Sequence, residues 1–210
     1  MEKVNHERAR ADDVGEPTIL VGLLLLAIAT NIACGQCRDL AHKVDFKNHR
    51  FPVLAWSRDT APTFRAASPS ARLITLKSGS YSQEVSPVPR LDEEDPHVSL
   101  SSIVYGDITN DGCPEAIVAL HVKSGGTLSW GYLYVYSETG LGLDLISSFL
   151  LGDRGSEGLN KVQVLKGNLV VEVFDPDLTS GDCCSDGLIR ITFAGKNSQL
   201  REISRVRVKR

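Results

Sequence analysis

The stretch YGDITNDGCPEAIVAL, residues 105–120, decides how this chain reads. An acidic, glycine-containing loop runs straight into the apolar sequence AIVAL. A short continuous apolar run bounded by turn residues predicts a buried strand. Outward from it the same pattern repeats. In GYLYVYSETG, Leu133 and Val135 alternate with Tyr132, Tyr134 and Tyr136, the period of two that a strand imposes on its faces. In NKVQVLKGNLVVEVFD, Lys-Gly-Asn separates two alternating runs and predicts a hairpin. DGLIRITFAGKNSQLREISRVRVKR predicts two more strands around a Gly-Lys-Asn-Ser turn, with Val206 and Val208 alternating against Arg205, Arg207 and Lys209. The whole of 98–210 therefore predicts a mainly β fold, an antiparallel meander built as a sandwich, a small barrel or a propeller-like sheet.

Residues 36–97 are less regular and belong to the same domain. Val44, Phe46, Phe51 and Val53 predict a short extended segment interrupted by Pro52. Residues 57–72, rich in Ser, Ala and Pro, read as a surface loop. RLITLKSGSYSQEV predicts a hairpin turning at Ser-Gly. The acidic run at 92–95 reads as a solvated turn.

The chain has 210 residues and a formal charge of −3, which excludes a nucleic-acid protein with its strong basic excess. Residues 18–35, TILVGLLLLAIATNIACG, carry no charge and predict a hydrophobic helix, either a signal peptide or a membrane anchor. Ala33, Cys34 and Gly35 fit a small-x-small cleavage site, and Cys34 is also the candidate for lipid attachment. Residues 1–17 run against the usual positive flank, with three basic residues and five acidic ones. The segment nonetheless predicts export, to the periplasm or the cell surface, with the domain held at the membrane.

Export changes the reading of the cysteines. Beyond residue 35 four remain, Cys37, Cys113, Cys183 and Cys184, an even number in an oxidising compartment. Adjacent cysteines bond to each other only with strain, so the preferred bridge joins Cys113 to Cys183 or Cys184, with Cys37 taking the other. The spacing for a structural zinc site is missing.

Within DITNDGCPE the candidate calcium ligands are Asp107, Thr109, Asp111, the carbonyl of Cys113, and Glu115. Calcium takes several hard oxygens from a flexible loop, and Gly112 supplies the turn. The other reading is an Asx-type turn in which the carboxylates cap backbone N–H groups. The loop resembles the calcium loops of FG-GAP and VCBS-type repeats, D-x-D/N-x-D-G-x-x-D before a strand. Thr109 departs from that pattern, and the loop occurs once where a propeller repeats it. The order VDFKN, YGDITNDGCPEAIV, YLYVYS, GDRGSEGLNKVQVLKGNLVVEV and CCSDG is similar to a group of bacterial exported proteins with a single such loop. That resemblance implies an exported β fold and brings no catalytic residue.

A second acidic loop holds Asp175, Asp177, Asp182 and Asp186, and a bridge from Cys113 to the Cys-Cys pair would place it beside the first. Trp130, Tyr132, Tyr134 and Tyr136 share one strand face, as an aromatic platform for a ligand or as sheet packing. No nucleophile elbow, zincin, phosphate-loop or dinucleotide motif occurs. The resulting expectation is a non-enzymatic binding or structural module, meeting a cell-envelope protein or glycan and admitting calcium as its one cofactor. The competing class is a cell-envelope hydrolase that uses carboxylates from the two acidic loops.

Overall fold

The computed structural model describes residues 37–54, 64–82, 97–123, 129–152, 157–178, 185–196 and 199–209. After a one-turn helix α1 (Leu40–Lys43) come β1 (Arg50–Leu54), β2 (Arg65–Ala66), β3 (Pro69–Thr75) and β4 (Ser80–Ser82). A run of long strands follows: β5 (His97–Gly106), β6 (Glu115–Lys123), β7 (Ser129–Glu138) and β8 (Leu143–Leu151). The chain then forms β9 (Leu159–Leu165), β10 (Asn168–Phe174), β11 (Gly187–Lys196) and β12 (Gln199–Lys209).

Pairing is antiparallel throughout. The β5 to β8 meander forms the body of a six-stranded sheet in the order β2-β8-β7-β6-β5-β4, and β9 to β12 form a second meander in the order β12-β11-β10-β9. β1 and β3 make a two-stranded layer of their own. The expected mainly β, antiparallel meander is the fold, and its form is layered.

The AIVAL run is apolar without alternation because the six-stranded sheet is covered on both faces. Ala116, Val118, Leu120 and Val122 face one core, packed against Phe46, Phe51, Leu54, Ile74 and Leu76 of the small layer. Ile117 and Ala119 face the other core, packed against Leu169, Val171, Val173, Ile189 and Ile191 of the four-stranded sheet. β7 divides the same way, with its tyrosines in the first core and Leu133 and Val135 in the second. A strand buried on both faces has no room for polar alternation.

The hairpin β9–β10 turns at Lys166 and Gly167, both at positive φ (51° and 73°), the geometry of a tight two-residue connection. β11 and β12 pair as expected, with a bulge that leaves Ile203 opposite no partner. The Ser78-Gly79 turn also exists, closed by Lys77 and Ser80. Its flanks part company, however: β3 pairs with β1 and β4 with β5, so the expected hairpin does not form. Residues 57–72 are likewise not all loop, since β2 and the start of β3 lie within them.

Residues 40–48 also differ from the extended reading. α1 forms there, and a 3-10 turn (Phe46–Asn48) follows. Asp45 accepts from the Lys47 N–H at 3.0 Å and the Asn48 amide at 2.6 Å, so a local cap wins over alternation while Phe46 is buried. Residues 37–210 make one compact unit. That segment, with Cys34, lies outside the described residues. Among the described residues no helix is long and apolar enough to cross a membrane.

Candidate functional site

The 107–115 loop joins β5 to β6 and is densely hydrogen-bonded. Asp107 accepts from the N–H groups of Asp111 (3.2 Å) and Gly112 (3.0 Å), and Asp111 accepts from Cys113 N–H (2.8 Å). Asn110 and Gly112 sit at positive φ, and Gly112 has open space where a side chain would go. These are Asx-type turns, and they wind the loop back on itself.

Glu115 turns the other way, into the protein, and is fully buried. One carboxylate oxygen accepts from the N–H groups of Ile108 (2.7 Å) and Thr109 (3.2 Å). The other accepts from the hydroxyls of Thr109 (3.0 Å) and Ser137 (2.9 Å). Burial raises its pKa above the ordinary carboxylate range, against the opposing pull of those four donors.

Of the candidate calcium ligands, Thr109 and Glu115 are thus committed to each other inside the core, while the Asp107 and Asp111 side chains stay outside it. A calcium cage takes six to eight oxygens, and the inward turn of Thr109 and Glu115 leaves Asp107, Asp111 and the Cys113 carbonyl as the loop's remaining candidates. Among the described residues no three His, Cys, Asp or Glu side chains are grouped to hold a metal.

The loop also reaches the segment before α1 and the four-stranded sheet. Cys113 is bonded to Cys37, with Cα atoms 5.4 Å apart. The bridge preferred from sequence, Cys113 to Cys183 or Cys184, is therefore replaced; both of those cysteines lie outside the described residues. Toward the four-stranded sheet, Gly195 N–H donates to the Ile108 carbonyl at 3.1 Å. A Cβ at Gly195 would meet that carbonyl oxygen at 2.2 Å, and one at Gly167 would meet Asn110 Oδ1 at 2.8 Å. The β9–β10 turn and β11 each carry glycine where the loop lies against them.

A second clamp holds the segment after Cys37. Glu138, at the end of β7, accepts from Arg38 N–H (2.9 Å), Arg38 Nε (3.1 Å) and Leu40 N–H (3.1 Å). Partial burial pushes its pKa up, but these donors and the guanidinium charge together hold it below the usual value. Arg38 also donates to the Thr139 carbonyl at 2.6 Å, and His42 stacks on Tyr105 with ring centroids 4.1 Å apart. The isolated charges of Arg38 and Glu138 carried no motif, so spacing alone did not point to this clamp.

The second acidic loop is elsewhere. Gly167, at the start of β10, borders Asn110, whereas Asp175 follows β10's far end. Seven strand residues put about 23 Å between the two loops, so their carboxylates do not form a pair flanking one bond. Asp175 is fully buried; it accepts from Asp177 N–H at 3.0 Å, and Arg207 Nε stands 2.9 Å from its other oxygen as a charge partner outside hydrogen-bond alignment. Ser185 Oγ lies 2.5 Å from the Asp175 carbonyl and accepts from Gly187 N–H at 3.2 Å. Asp186 is exposed, and Asp182 lies outside the described residues.

The aromatic row is not a surface platform. Trp130, Tyr132, Tyr134 and Tyr136 are all buried, Tyr134 completely. Phe51 packs on Tyr134 at 5.3 Å and Phe46 on Tyr136 at 5.5 Å. Tyr134 donates to the Pro52 carbonyl at 2.6 Å, and Trp130 Nε1 donates to Tyr132 at 3.1 Å. Burial drives the phenols of Tyr132, Tyr134 and Tyr136 upward, and they stay neutral. The small β1–β3 layer covers the face that alternation had left open.

Comparison with protein-family models, with curated proteins and with solved structures finds no match for this chain.

Proposed function

We propose that this chain is an exported, membrane-tethered β domain that serves as a binding or structural module of the cell envelope. The observation that carries the reading is the Cys37–Cys113 disulfide, formed within two residues of the uncharged 18–35 segment. Disulfides persist in oxidising compartments, and a hydrophobic segment just upstream is the route to one. The polar chemistry around the loop supports the same reading. Asp107, Asp111, Glu115 and Glu138 each hold backbone N–H groups, so they act as structural caps and their lone pairs are largely engaged. The partner is a protein or glycan of the envelope, met by surface and loops.

The test is fractionation of cells expressing the full chain, followed by protease treatment of intact spheroplasts. Membrane association with external digestion of 37–210 is the expected result. Recovery in the cytosol, protected from protease, would sink the proposal.

A further inference from the structure

The β7–β8 turn presents an apolar tip at a defined place. Residues 139–142 close on themselves, with Thr139 N–H donating to the Gly142 carbonyl at 2.7 Å and Leu141 N–H to Thr139 Oγ1 at 3.3 Å. Leu141 at the apex is 99% exposed, whereas the other exposed large apolar side chains lie between 48% and 57%. A single exposed leucine is ordinary in itself, so the place of Leu141 in the fold has to carry the reading.

Its location supplies the occupant. The turn is bound by Arg38, through the Thr139 carbonyl and Glu138, and Arg38 neighbours Cys37. Only Gln36 separates Cys37 from Gly35, the end of the uncharged segment, in the sequence, and Cys37 is bonded to Cys113 of the 107–115 loop. The same end of the sandwich carries Leu165, half exposed before the Lys166 and Gly167 turn.

We propose that this end of the domain lies against the lipid bilayer, with Leu141 seated in the interfacial layer as a second contact beside the hydrophobic segment. The inference rests on the tether proposed above. It fixes the orientation of the domain: the 107–115 loop and the 139–142 turn face the membrane, and the Asp175 end points away.

The test uses the full chain reconstituted into phosphatidylcholine vesicles, with and without brominated acyl chains. Leu141→Trp and, at the opposite end, Leu178→Trp are compared with the parent, whose Trp56 and Trp130 set the background. The expected result is blue-shifted emission from Leu141→Trp that is lost in brominated vesicles, with Leu178→Trp unaffected. If the chain floats with the vesicles but bromine leaves Leu141→Trp unchanged, or quenches Leu178→Trp as well, the tether stands and this orientation is wrong. If the chain does not float, both the tether and the orientation fail.

Discussion

Glu115 holds Thr109 twice, through its backbone N–H at 3.2 Å and through its hydroxyl at 3.0 Å. That pair turns a loop with the outline of a metal site into one closed by a buried carboxylate. Glu115→Ala leaves the N–H groups of Ile108 and Thr109 without acceptors, at a cost of about 2–5 kcal/mol. Glu115→Gln is a milder change. Its carbonyl serves the two N–H groups, and its amide donates to the hydroxyls of Thr109 and Ser137, which rotate to accept. Urea unfolding of the two variants should therefore separate them clearly, with Gln close to the parent.

The disulfide joins residues separated by 76 positions, and the loop it closes contains the small layer together with β4 and β5. Removing it, by reduction or by Cys37→Ser with Cys113→Ser, should cost about 4 kcal/mol on the chain-entropy account. Equilibrium unfolding with and without reductant measures this, and the denatured state should expand on reduction.

Tyr134 spans two layers. Tyr134→Phe keeps the ring packing against Phe51 and loses one hydrogen bond to Pro52, at about 1 kcal/mol. Tyr134→Ala empties a fully buried site and should cost about 3–5 kcal/mol. A thermal scan that ranks the two alike would mean that the small layer is not packed on this face.

Gly195→Ala tests the contact between the loop and the four-stranded sheet. The new methyl must displace the Ile108 backbone, at a cost of about 1–3 kcal/mol or more, while Gly112→Ser meets only its backbone conformation. Amide exchange should report the damage at both Ile108 and Gly195.

His49 sits among Phe46, Phe51 and Tyr136, and burial lowers its pKa below the ordinary 6.5. The unfolded chain then binds the proton more readily, so this contribution is complete above pH 6.5 and is lost as pH falls toward the folded value. Glu115 runs the opposite way. Its raised pKa favours the fold below pH 4.5, and that contribution is lost as pH rises through the folded value. Urea midpoints measured from pH 4 to 7 should show the first slope vanish in His49→Phe and the second in Glu115→Gln.

Much of the fold was legible because β6, β7 and β9 to β12 follow alternation or an apolar run, and Lys166 with Gly167 marks its turn. The small layer was not. Its strands pair across a long gap, and Asp45 caps a turn where Val44 and Phe46 alternate like a strand. The tyrosine row looked like an open face because alternation tells which residues share a side and not what covers it. In the loop, two of the five candidate ligands, Thr109 and Glu115, are bonded to each other in the core. Spacing is blind to the inward turn of Glu115, which depends on Ser137, a residue 22 positions away. The Cys37 pairing was hidden for the same reason, since four cysteines allow three connectivities.

The most direct test of this account is disulfide mapping of the full chain after acid trapping and thiol alkylation in the expressing cells. Mass spectrometry of the unreduced digest should find Cys37 and Cys113 linked in one peptide pair. Free thiols at both positions would contradict both the compartment and the way the 107–115 loop holds the segment after Cys37, whereas Cys113 linked to Cys183 or Cys184 would leave the compartment standing and contradict the loop's hold.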